Sequence, residues 1–147
     1  MKLLRYLTPV LASAAALCCY SGVAQAATAH PATGNGFTVS LAASSTDPYV
    51  GTPVTLTATA NTDVGPTPYF ITIYDQTTGA ELAICGTGLT CSATVSESTT
   101  GTQRFEAFIG DDVPGHGAPG FVLVSSSQVP VLWWRFVIIG QLRPLAG

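Results

Sequence analysis

The stretch Val54 to Ala60, VTLTATA, alternates apolar residues with threonine at every step. Successive side chains of an extended strand point to opposite faces. Val54, Leu56, Ala58 and Ala60 therefore share an apolar face, with Thr55, Thr57 and Thr59 on a hydroxyl face that suits β-branched residues. A helix would scatter the same residues around its circumference. Phe37, Val39 and Leu41 alternate with Thr38 and Ser40 in the same way, as Phe105, Ala107 and Ile109 do with Arg104 and Glu106. Tyr69 to Asp75, YFITIYD, is apolar or aromatic on both faces apart from Thr72, which predicts a strand inside a sheet rather than at its edge. Glu81 to Cys85 and Cys91 to Val95 read as a hairpin around Gly86 to Thr90. Phe121 to Val124 and Val129 to Trp133 read as one long last strand, broken at Ser125-Ser126-Ser127 by a bulge or a sheet switch. About seven strands and no amphipathic helix predict an all-β antiparallel sandwich.

The chain opens with Lys2 and Arg5, then an apolar run from Leu7 to Cys19, a break at Ser21-Gly22 and the sequence Ala24-Gln25-Ala26. This is the pattern of a signal peptide over residues 1–26, cleaved after Ala26, and it predicts secretion to the cell surface or beyond. Removing 26 of 147 residues leaves 121, the size of one domain. Residues 27–36, ATAHPATGNG, are small and turn-rich and read as a flexible leader to a domain over 37–133. Only Arg104, Arg135 and Arg143 remain as basic residues against eight acidic ones. Three scattered arginines cannot neutralise a phosphate backbone, so nucleic acid is not an expected partner. Residues 134–147 form a tail, and the apolar run Val129 to Ile139 is too short for the ~20 residues of a membrane-spanning helix.

Residues 50–96 carry, in order, VGTPVTLTATA, the aromatic hairpin YFITIYDQTTG, a C-x5-C pair at Cys85 and Cys91, and later Phe105-Glu106-Ala107. This succession resembles the bacterial immunoglobulin-like domains of exported actinobacterial proteins, over roughly Phe37 to Trp133. The resemblance implies a sandwich fold and a role as spacer or recognition module, with no shared catalytic residue. Unlike antibody domains, the chain is expected to lack a cysteine pair joining its two sheets.

Among residues that could carry chemistry, Cys85 and Cys91 flank a five-residue loop with two glycines, and an oxidising destination predicts a disulfide between them. Cys18 and Cys19 leave with the signal. Asp111, Asp112 and His116 fall in one loop, DDVPGHG, but two carboxylates without a spaced ladder of oxygens make a solvated turn, not a metal site. No G-x-S-x-G elbow or phosphate-binding glycine loop is present. The expectation is therefore a non-catalytic protein without metal or cofactor, probed best through its aromatics. Tyr49, Tyr69 and Tyr74 lie at or near strand ends, where flat rings can stack on sugars or anchor an interface. The leading expectation is a secreted monomeric structural or recognition module whose partner is a protein or a glycan. A small carbohydrate-binding module using those tyrosines is the alternative, and a hydrolase built on loop carboxylates and His116 the second.

Overall fold

The computed structural model describes residues 36–136; the predicted signal, most of the leader and the tail beyond Phe136 lie outside them. The described chain is all-β. Its strands are β1 (Val39–Ala43), β2 (Val54–Ala60), β3 (Phe70–Asp75), β4 (Ala80–Cys85), β5 (Thr90–Val95), β6 (Gly101–Gly110), β7 (Pro114–Gly115), β8 (Ala118–Pro119), β9 (Val122–Ser125) and β10 (Val129–Trp133). One sheet has the order β1-β2-β5. The other runs β10-β6-β3-β4, with β9 also paired to β6, and all pairings within both sheets are antiparallel. Packed face to face, they form an antiparallel β-sandwich. The described residues form ten strands rather than about seven, because the last predicted strand is two and the loop after β6 contains the small β7–β8 ribbon.

The alternation in the sequence is the alternation in the core. Val39 and Leu41 from β1, Val54, Leu56 and Ala58 from β2, Ile71 and Ile73 from β3, and Phe105, Ala107 and Ile109 from β6 are buried between the sheets. Each large apolar side chain so buried contributes about 1.5–3 kcal/mol. The intervening threonines Thr55 and Thr59 are exposed. Central placement of β3 is borne out, since it lies between β4 and β6, and Thr72 and Tyr74 on its outer face are also buried. What covers that face is the β7–β8 ribbon, whose Gly117 carbonyl accepts a hydrogen bond from the Gln76 amide.

Serine explains the break between β9 and β10. Phe108 pairs with Ser125 and Phe105 with Val129, so Glu106 and Ala107 face the three residues Ser126 to Gln128. That is a bulge of one residue. Ser126 N donates to Ala107 O at 2.8 Å, and its Oγ accepts from Ala107 N at 3.0 Å. A buried hydroxyl thus replaces the missing ladder bond, and β9 and β10 stay on the same neighbour instead of switching sheets.

The predicted hairpin between Cys85 and Cys91 is overturned. β4 belongs to the larger sheet and β5 pairs with β2 in the smaller one, so the short loop between them crosses the sandwich. The disulfide is present, with S–S 2.06 Å and Cα–Cα 5.7 Å. It therefore joins the edges of the two sheets, contrary to the expectation that no cysteine pair would. A connection of this length fits a hairpin or a crossover equally well, and pairing of β5 with the apolar-faced β2 decides between them.

Candidate functional site

Antiparallel register sorts the loops into two ends. Tyr69 stands where β3 begins, level with the end of β2 and the start of β1; Tyr49 lies between the end of β1 and the start of β2, level with the end of β10. The three candidate tyrosines are therefore not brought together. Tyr69 is half-buried against the core and meets Phe37 edge-on, with centroids 6.2 Å apart. Tyr74 is wholly buried on the outer side of β3, with its ring edge-on to Phe108 at 5.8 Å. Its hydroxyl donates to Glu81 Oε2 at 2.9 Å. Burial first, and then the hydrogen bond and negative charge of Glu81, push the phenol up to about 12. Such a ring has no face to offer a ligand, which removes Tyr74 from the set of surface-stacking residues.

Tyr49 alone keeps the surface position expected of it, and it has two companions. After β1 the segment Ser44 to Val50 leaves the smaller sheet. Ser44 Oγ accepts from Thr55 N at 2.9 Å, and Pro48 then faces inward. The chain runs parallel to the end of β10: Leu132 N donates to Thr46 O at 2.8 Å, Trp134 N to Pro48 O at 3.1 Å and Val50 N to Trp134 O at 2.9 Å. Trp134 Nε1 donates to Asp47 O at 2.8 Å, which fixes the indole. Tyr49 lies 4.2 Å from Trp134 and 5.3 Å from Phe136, and Trp134 lies 4.8 Å from Phe136, all between ring centroids.

This cluster has a rigid root. Trp133, one residue before Trp134, points inward and is wholly buried, edge-on to Phe105 at 6.3 Å with its Nε1 donating to Thr52 O at 3.3 Å. Period two does the rest. Val131 and Trp133 face the core, while Leu132, Trp134 and Phe136 face away from it, and Leu132 and Phe136 are exposed. β10 ends at Trp133, and the pairing of Trp134 with Tyr49 extends the ordered contact past that predicted boundary. The alternation continues past Trp133 into the segment expected to be a tail, where the pairing with Tyr49 gives it a fixed place.

The acidic loop has a different use. Asp111 Oδ1 accepts from Phe121 N at 2.8 Å, and Asp111 N donates to Phe121 O at 3.0 Å, closing the base of the β7–β8 ribbon. His116 sits exposed at the ribbon's turn. Among the described residues, no group of three or more His, Cys, Asp or Glu could hold a metal ion, and no helix is long and apolar enough to cross a membrane. Two further aspartates also serve the backbone. Asp63 Oδ1 accepts from Gly65 N at 2.8 Å and Gly88 N at 2.6 Å, tying the β2–β3 loop to the β4–β5 crossover. Asp75, buried, accepts from Thr77 N at 2.8 Å and Thr78 Oγ1 at 2.8 Å, folding the β3–β4 turn ahead of Gly79 at φ 75°.

The chain matches no protein-family model, no curated protein and no solved structure.

Proposed function

We propose that this chain is a secreted, non-catalytic immunoglobulin-like module, monomeric, that acts as a structural or recognition element at or outside the cell surface. The observation that carries this reading is the use to which three of its aspartates are put. Asp63, Asp75 and Asp111 each bind backbone amides of their own loops. A general acid or base must instead reach a substrate proton. These aspartates are turn-builders.

Export is supported by the signal-like first 26 residues and by a cysteine pair at bonding distance, which suits an oxidising compartment. The test is made on protein recovered from culture supernatant. Its expected first residue is Ala27, and its mass should rise by two hydrogens on reduction. A broad hydrolase screen should give equal background for wild type and His116→Ala. Retention inside the cell with free thiols at Cys85 and Cys91 would overturn the export reading. A turnover lost in His116→Ala would overturn the non-catalytic one.

A further inference from the structure

Beyond the single module proposed above, we propose that β5 is a pairing edge through which two copies of this chain join, antiparallel, about a two-fold axis at Ser92. The smaller sheet ends at β5. Among the described residues this strand bonds to β2 alone, in unbroken register from Val54 with Val95 to Thr59 with Thr90. Its outer edge therefore presents backbone N–H and C=O groups that another strand can bond. The other edges are blunted. β4 carries Glu81 and a bulge between its pairings with Ile73 and Tyr74, and β9 is four residues long. β10 contains Pro130 and is flanked by the Ser44 to Val50 segment, and no residue of β1 is exposed. β5 has no charge, proline or bulge along Thr90–Val95.

The residue pattern of this edge selects the occupant. Leu89 continues the ladder, its carbonyl accepting from Ala60 N at 2.8 Å. From there Leu89, Cys91, Ala93 and Val95 alternate with Thr90, Ser92 and Thr94. The three hydroxyl residues are exposed, Cys91 is buried, and Ala93 and Val95 pack partly against the core. This order of apolar and hydroxyl positions reads the same in both directions. Laid antiparallel on a second copy with Ser92 opposite Ser92, the segment sets Thr90 against Thr94, Cys91 against Ala93 and Leu89 against Val95. Hydroxyl meets hydroxyl, apolar meets apolar, and no charge meets its like. A one-residue slip would set hydroxyls against apolar residues. Leu89, in phase with the core-facing positions yet 50% exposed, gains in the pair the cover it lacks in the single copy. The contact is isologous and closes at two chains. It is one strand wide, at the small end of specific interfaces, so the dilute protein stays single and the pair forms as concentration rises. Both copies carry the same acidic balance, and salt screens their repulsion, so pairing strengthens with ionic strength.

Sedimentation equilibrium of the secreted protein over a concentration series should give a mass rising from one chain towards two, and rising earlier in higher salt. Ser92→Lys sets two ammonium-bearing side chains directly opposite, with Cβ atoms about 5 Å apart, and should hold the protein at one chain where wild type is mostly paired. Ser92→Glu should do the same. An equimolar mixture of the two variants should recover pairing at least to the wild-type level, because residue 92 then meets its opposite charge. Recovery also shows that both variants are folded.

A single-chain mass at every concentration and salt would overturn the pairing and leave the secreted module standing. A pair that survives Ser92→Lys would place the contact on another surface, and growth beyond two chains would mean head-to-tail pairing of β5 with β1; either result overturns the two-fold contact. Variants that stay single when mixed would overturn the axis at Ser92.

Discussion

The two ends of the sandwich are held by different means. At the Tyr69 end a disulfide, the Asp63 carboxylate and the buried Val64 lock the β2–β3 loop against the β4–β5 crossover. Space there is tight. A Cβ on Gly65 would approach Thr87 Cγ2 at 2.9 Å, and one on Gly86 would approach the Phe70 ring at 2.9 Å. At the Tyr49 end the chain relies on parallel backbone pairing and on rings stacked outside the core. The first end is closed by a covalent link, although Leu89 and Phe121 stay exposed there. The second gathers Tyr49, Trp134 and Phe136 into one cluster of rings in mutual contact outside the core, which is why the candidate site belongs there.

Trp133→Ala is the substitution that should break the comparison most severely. The indole is the buried root of the Tyr49 end, and its loss leaves a cavity beside Phe105 as well as an unpaired Thr52 carbonyl. A cost of about 3–5 kcal/mol is expected from core truncation of this kind. Urea unfolding should show the midpoint falling, and native-state hydrogen exchange should show the amides of Val50 and Trp134 losing protection first.

Removing the covalent link should act on the opposite end. The Cys85→Ser/Cys91→Ser double variant frees a small loop, so by chain entropy the loss is roughly 2 kcal/mol, comparable to one buried core side chain. Exchange should accelerate over residues 61–69 and 86–90 while Trp134 and Val50 stay protected. Equal acceleration at both ends would show that the two are one cooperative unit.

The strands were legible because their chemistry is local. Val54 to Ala60 reads correctly as half-buried, since every apolar residue in it has the same destination. Crossing points were less so. The five residues between Cys85 and Cys91 are compatible with a hairpin, and only the competition for β2 sends β5 to the other sheet. The site was hardest to read, because Tyr49 meets Trp134 across 85 positions of sequence through a parallel bridge that no local pattern announces. Tyr74 is hidden from the surface for a related reason. Its burial comes from a ribbon forty residues further on, not from the alternation of its own strand.

A smaller effect is expected at Asp63. Its carboxylate sits at the surface and accepts two backbone amides from different loops, so Asp63→Ala should cost about 1 kcal/mol. The outcome sharpens the contrast between ends. If the disulfide already fixes the crossover, the Asp63→Ala loss should grow in the cysteine double variant, and a double-mutant cycle measures that coupling directly. Strict additivity would mean that the carboxylate and the disulfide restrain independent parts of the loop pair.

The smallest effect at neutral pH belongs to Tyr74→Phe, which keeps the buried ring and removes only its hydroxyl; about 1 kcal/mol or less is expected. Its signature lies in alkali. The folded phenol is held to about 12 by burial and by Glu81, while in the unfolded chain it ionises near 10. Between those values the folded protein retains a proton that the unfolded chain has released, so stability from this group is whole below about pH 10 and falls as pH rises toward 12. Tyr74→Phe should therefore flatten the decline of the urea midpoint over that window and leave its slope below it unchanged. Because Tyr74 sits under the β7–β8 ribbon, away from both ends, an unaltered alkaline slope in the variant would mean that the ribbon lifts and admits water to the phenol.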